Sequence, residues 1–247
     1  MTFCLLVVLV LADRANAAAP APSPSPIVAV AASSEYDSRF ADIVNNVEVR
    51  RELGGGELAP YAAIDLEYDT RSGVPGIADV YNDNAAVARL GYRFALDPGG
   101  FSSAFATGGY SFGLRGQSSF PETRYGIEYA RSFGSESVDR PNANVAASVT
   151  AYSRYQGNVI AEGSLEYETP LTTRLRTSTG TDLSLDDRRE YENNYAEAFG
   201  GIRWSFAPAL SLRVVGVAGT YLPRGVDPPS TRSYAGIRAR LDFAIAP

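Results

Sequence analysis

From residue 60 onward the chain alternates small or apolar residues with polar or charged ones, in nine stretches punctuated by Gly, Pro, Asp and Asn. Successive side chains of an extended strand point to opposite faces, so every such stretch has one apolar and one wet face. Tyr234 to Ile245 is the clearest case, with Ala235, Ile237, Ala239, Leu241, Phe243 and Ile245 opposing Gly236, Arg238, Arg240 and Asp242. Val159 to Tyr167 sets Glu162, Ser164 and Glu166 against Val159, Ala161, Gly163, Leu165 and Tyr167. A glutamate at alternate positions cannot face a dry core, but it can face water inside a closed sheet.

The same reading gives strands over Tyr61–Thr70, Asn82–Leu96, Phe101–Gly116, Thr123–Phe133, Asn144–Tyr155, Tyr195–Phe206 and Leu210–Leu222, and a weaker one over Asn46–Leu53. Asp97-Pro98-Gly99-Gly100 is a turn signal, because Pro pre-sets φ and Gly accepts positive φ. A soluble β-sandwich or a lipocalin-like cup also alternates its faces. Three features favour a membrane barrel instead. The strands are long, one face stays apolar in each of them, and the other carries charge where a sandwich needs a dry core. Tyr68, Tyr92, Tyr125, Tyr167, Trp204, Phe206 and Tyr221 near strand ends suit the headgroup level of a bilayer. The expectation is an all-β, closed antiparallel transmembrane β-barrel of about ten strands, with eight to twelve compatible. Arg131 breaks the pattern near its strand end, where its stem can snorkel to the headgroups. Pro170 to Asn194 reads as the longest interruption, and long loops belong to the cell exterior.

Phe3 to Ala12 is as long as a signal-peptide apolar region and too short for a spanning helix, and Ala15-Asn16-Ala17 offers a small-x-small cleavage site. Met1-Thr2 carries no Lys or Arg, which is unusual for such a leader. The expected organisation is a signal peptide over 1–17, a Pro/Ala/Ser-rich linker and N-terminal segment over 18–43, and the barrel over 44–247. The expected destination is an outer membrane, with membrane lipid as the surrounding partner.

The single Cys, Cys4, lies in the leader, so neither disulfides nor thiol chemistry belong to the mature chain. There is no His, which removes Ser-His triads and the usual His-based metal and haem sites. The formal net charge is −6 and no Lys occurs, a balance that argues against a nucleic-acid surface. Gly54-Gly55-Gly56 lacks the Lys-Ser/Thr of a phosphate loop. The acidic pairs Glu166/Glu168 and Asp186/Asp187 read as solvated rim or lumen groups rather than acid–base machinery, and the carboxylates of 170–194 lack calcium-loop spacing. No enzymatic activity, metal or cofactor is expected.

Cysteine-free alternating strands, the leader and the aromatic at Leu241-Asp242-Phe243 resemble Gram-negative outer-membrane proteins, whose last strand usually ends in an aromatic residue read by the assembly machinery. Here the chain continues through Ala244-Ile245-Ala246-Pro247, which displaces that signal. Within this class Asn82 to Phe94, Gly219 to Arg224 and Tyr234 to Phe243 are similar to the C-terminal barrel of the bacteriophage N4 adsorption protein A and to exopolysaccharide-export barrels. Those relatives carry helical repeats ahead of the barrel, which this chain lacks. The resemblance implies a barrel that handles a polysaccharide.

The functional expectation is a narrow channel for small solutes or a polymer strand. Its candidate lumen lining is Arg89, Arg93, Glu128, Glu162, Glu166, Glu197, Arg203, Arg213, Arg238 and Arg240. The same Arg and Glu residues can instead pair across strands and plug the interior, leaving a structural or surface-binding barrel that acts through its external loops. A soluble periplasmic binding domain is the remaining alternative.

Overall fold

The computed structural model of the protein describes residues 28–38, 42–53, 58–70, 84–97, 100–112, 119–134, 140–153, 158–187, 194–222 and 233–245. They form twelve strands: β1 (Ala29–Asp37), β2 (Asp42–Glu52), β3 (Leu58–Asp69), β4 (Ala85–Asp97), β5 (Gly100–Ser111), β6 (Phe120–Gly134), β7 (Asn142–Tyr152), β8 (Asn158–Pro170), β9 (Leu175–Asp186), β10 (Tyr195–Ala207), β11 (Leu210–Tyr221) and β12 (Ser233–Ile245). Every strand pairs antiparallel with its sequence neighbours, and β1 closes the barrel against β12 with Val30 opposite Ile245 and Asp37 opposite Arg238. Closure leaves no unpaired edge, the condition for strands to cross a bilayer.

Ten of the twelve strands coincide with the periodic segments of the sequence. The other two correct it. β1 lies inside the segment 18–43 that the sequence assigns to a linker and N-terminal region, so the barrel begins before residue 44. β9 occupies the middle of Pro170–Asn194, which is therefore not one long external loop but a strand between a tight turn at 171–174 and a connection at 187–194. In that turn the Thr172 hydroxyl accepts from the backbone N–H groups of Arg174 and Leu175, a local bond that competes with ladder formation and marks a turn. The leader and the Pro-rich segment, residues 1–27, lie outside the described residues.

The connections at 38–41, 70–84, 112–119, 153–157, 187–194 and 222–232 gather at one end of the barrel. Those at 53–57, 98–99, 135–141, 171–174 and 208–209 gather at the other, together with both ends of the strand circuit. The first set includes the longest connections and the second the two-residue turns, so the first end is extracellular and the second periplasmic. Both two-residue turns follow a register shift, between Ala95 and Asp97 and between Ser205 and Ala207, where a bulge tightens the strand twist.

The outward rows decide the environment. Leu90 is 65% exposed, and Ile64, Leu66, Tyr110, Tyr125, Ile127, Leu165, Trp204, Ile237 and Leu241 are exposed on the same wall. Among the described residues only Arg51 and Arg131 put charge on this wall, each near the periplasmic end of its strand. A charge at the bilayer midplane costs about 2–4 kcal/mol, whereas an arginine at the rim reaches the headgroups. The Arg131 guanidinium lies 4.5 Å over the Phe133 ring. Trp204 and Phe206 stack at 4.4 Å at the periplasmic end of β10. Tyr36, Tyr68 and Tyr110 sit near the extracellular ends of β1, β3 and β5, so aromatic rings flank the apolar band at both ends. Tyr221 departs from the sequence reading: its row on β11 faces inward, and its ring packs at 4.7 Å on Tyr234. A closed barrel with this outer wall is a transmembrane barrel of the outer-membrane type.

Candidate functional site

On the inner wall, three-layer stacks form around inward rings. Tyr61, Phe105 and Phe199 pair in register with Gly91, Gly126 and Gly180 on the next strand. A Cβ on those glycines would stand 2.6, 2.5 and 2.5 Å from the ring, so each ring lies flat in a space that only glycine leaves. On the ring's other side stands an arginine: Arg50 over Tyr61 at 4.0 Å, Arg89 over Phe105 at 4.8 Å and Arg213 over Phe199 at 5.3 Å. Arginine, ring and glycine come from three consecutive strands in each stack, which anchors long cations along the wall. Phe199 also packs with Val215 and Val217 in a small apolar cluster inside β10 and β11.

Three ion-paired networks grow from this framework. In the first, Arg89 Nε donates to Asp65 at 2.8 Å, with Glu48 and Glu128 each 3.7 Å from its Nη1. Arg124 grips both carboxylate oxygens of Glu67 at 2.5 and 2.8 Å and also pairs with the fully buried Glu122. In the second, Glu166 receives Arg213 at 3.2 Å and Arg203 at 3.6 Å, and Glu168 receives Arg203 at 3.0 Å and Arg176 at 3.3 Å. In the third, Arg238 meets Glu35, Asp37, Asp182 and Glu197, and Tyr234 donates to Glu197 at 2.9 Å. Arg124 to Glu67, Arg213 to Glu166 and Arg238 to Asp182 each join strands three places apart, a span made across the interior rather than along the wall.

The structure puts the ten candidate residues on this inner wall and brings nine of them into ion pairs. Arg93 lies 3.8 Å from Glu52, and Arg240 pairs with Asp242 at 2.6 Å. Glu162 is the exception, with the Ser148 hydroxyl donating to it at 3.2 Å and no arginine partner among the described residues. Glu166 and Glu168 share a face, as their spacing implies, but both carboxylates are engaged by arginines, which fits structure rather than acid–base chemistry. Among the described residues no group of three His, Cys, Asp or Glu could hold a metal ion.

The candidate lining leaves out Glu48, Asp65, Glu67, Arg124 and Glu168, which stand on the polar faces of recognised strands. Sequence reasoning missed Glu122, Glu35 and Asp37 of β1, and Arg176 and Asp182 of β9 altogether. Glu122 lies just before the segment assigned to its strand, and β6 extends back to include it. The others sit on the two strands whose alternation is faint.

Comparison with known proteins gives no match to any family model and none to a curated protein. Solved structures do match. A membrane protein from work on in-meso crystallization aligns with a TM-score of 0.50 at 12% identity, over 88% of this chain and 83% of that one. The NanC porin aligns at 0.49 and 9% identity, over 88% and 99%. The outer membrane channel DcaP of Acinetobacter baumannii aligns at 0.42 and 14%, over 86% and 70%. At these identities the likeness is one of fold.

Proposed function

We propose that the chain is a narrow channel of the outer membrane that passes small solutes through its charged interior. The observation that carries this reading is an inner wall of charged and hydroxylated side chains beside an open cavity of about 320 Å³, enclosed by a wall whose outer face is fit for lipid. Barrel diameter grows with strand number, so twelve strands leave more room than the eight or ten at which side chains fill the interior. The lining under this reading is Arg89, Arg93, Glu128, Glu162, Glu166, Glu197, Arg203, Arg213, Arg238 and Arg240. The porin and channel named among the similar structures are in keeping with transport, without defining a solute. Passage of a polymer strand, which the resemblance to exopolysaccharide-export barrels would imply, requires an uninterrupted bore. The ties Arg124–Glu67, Arg213–Glu166 and Arg238–Asp182 each reach across a quarter of the strand circuit and narrow the bore, so small solutes are the proposed class.

Those same ties favour a second reading, a plugged barrel that acts through its extracellular connections. Detergent-purified protein, checked for faster gel migration unheated than boiled, separates the two in a planar bilayer. Discrete current steps support the channel. A heat-modifiable protein without current supports the plugged barrel.

A further inference from the structure

The charged networks do not fill the interior evenly. Arg89 and Arg124 organise the wall from β2 to β6, while Arg203, Arg213 and Arg238 organise it from β8 round to β1. Between them the inward row of β7, residues Asn142, Asn144, Ala146, Ser148, Thr150 and Tyr152, has no charge. The cavity of about 320 Å³ opens against this row, and Glu128, Ser148, Glu162, Ser164, Asp182 and Tyr195 line it. Its charged side chains are all carboxylates. Glu128 and Asp182 are drawn to arginines on the flanks, Arg89 at 3.7 Å and Arg238 at 3.3 Å. Glu162 is exposed to the interior, with the Ser148 hydroxyl donating to it and no arginine partner among the described residues.

We infer that permeation follows the β7 side of the lumen, that the permeant class is small cations, and that Glu162 is the residue that sets this selectivity. The inference rests on the channel reading. A carboxylate without an arginine in a confined, partly dehydrated passage attracts a cation and repels an anion far more strongly than it would in bulk water. The serine hydroxyls and Tyr195 offer oxygens to a cation shedding part of its hydration shell. Among the described residues, the two arginines nearest the cavity, Arg89 and Arg238, are each held by carboxylates. Across the described inner wall, carboxylates also outnumber arginines.

The test is the reversal potential of the full mature protein in a planar bilayer under a potassium chloride gradient. The wild type should show the sign for potassium over chloride. Glu162→Gln should keep its heat-modifiability and a measurable conductance while the permeability ratio falls several-fold, and Glu162→Lys should push the preference towards chloride. Asp242→Asn, which removes a carboxylate paired with Arg240 away from the cavity, should shift the ratio much less. A wild-type preference for chloride overturns the inference without needing any variant. So does a cation preference that Glu162→Gln and Glu162→Lys leave unchanged, and in either case the channel reading stands. Absence of current from a heat-modifiable wild type overturns the channel reading itself, and the inference with it.

Discussion

The inward rows of β5 and β7 are chemically alike, but the middle of β7 is open where β5 is packed. On β5, Ser103, Phe105, Thr107, Gly109 and Ser111 carry no charge, and Ser103, Thr107 and Ser111 are 2%, 7% and 0% exposed. On β7, Asn144, Ala146, Ser148 and Thr150 are equally uncharged, and Thr150 is buried, yet Ala146 is exposed and Ser148 half-buried. The neighbours make the difference. β5 lies between Arg89 on one side and Glu122, Arg124 and Glu128 on the other, whose side chains lean over it. Ser103 donates to Glu128 at 2.5 Å, Ser111 donates to Glu122, and Thr107 accepts from the Arg124 backbone N–H at 3.0 Å. β7 is followed by Glu162, which has no arginine partner among the described residues. Space inside a barrel is therefore set by the charge pairing of flanking strands rather than by the size of a strand's own residues.

The strongest way to break this contrast is to remove the cation that roofs β5. Arg124→Ala leaves Glu122 buried and Glu67 without its bidentate partner, and losing one member of a buried pair costs ~3–5 kcal/mol. The urea midpoint of the lipid-reconstituted barrel should fall accordingly. Replacing all three charges, with Arg124→Met, Glu122→Gln and Glu67→Gln together, should recover much of the loss, because no buried charge is then left unpaired. A weaker intervention adds bulk to each row. Thr107→Phe overfills a packed position and should cost about 1–3 kcal/mol. Ala146→Phe faces open space and should change the midpoint by less than about 0.5 kcal/mol, while lowering single-channel conductance. Equal stability losses at the two positions would abolish the distinction between a filled and an open sector.

The sequence made legible those elements whose two faces contrast. β12 alternates Ile237, Leu241 and Phe243 with Arg238, Arg240 and Asp242, and both its limits and its orientation follow from that. β9 hides because Thr177, Thr179 and Thr181 stand on its lipid side opposite Ser178, Gly180 and Asp182, so hydropathy barely alternates. β1 hides for the same reason, with Ala and Ser on both faces, and its partner β12 lies some two hundred positions away, beyond any local signal. The ten inner-wall candidates were readable from period alone. Their pairing was not, since Arg238 reaching Asp182 depends on the register of four strands. The isolation of Glu162 was equally hidden, being a property of what its neighbours lack.

The smallest effect tests the contrast most directly, because it asks whether each row is dry. Ser103 Oγ donates to Glu128 and lies 3.4 Å from the Tyr61 hydroxyl, in a spot closed to solvent. Ser103→Ala removes a bond whose hydroxyl side is closed to solvent, although Glu128 itself borders the cavity, and should lower stability by about 0.5–1.5 kcal/mol. Ser148 makes the matching bond to Glu162 at 3.2 Å, but both groups border the open cavity. A water molecule there can take over the hydroxyl's place at little cost, so Ser148→Ala should leave the urea midpoint unmoved. If Ser148→Ala destabilised the barrel as much as Ser103→Ala, the β7 sector would be as dry as β5, and a wet path beside Glu162 would have no physical basis.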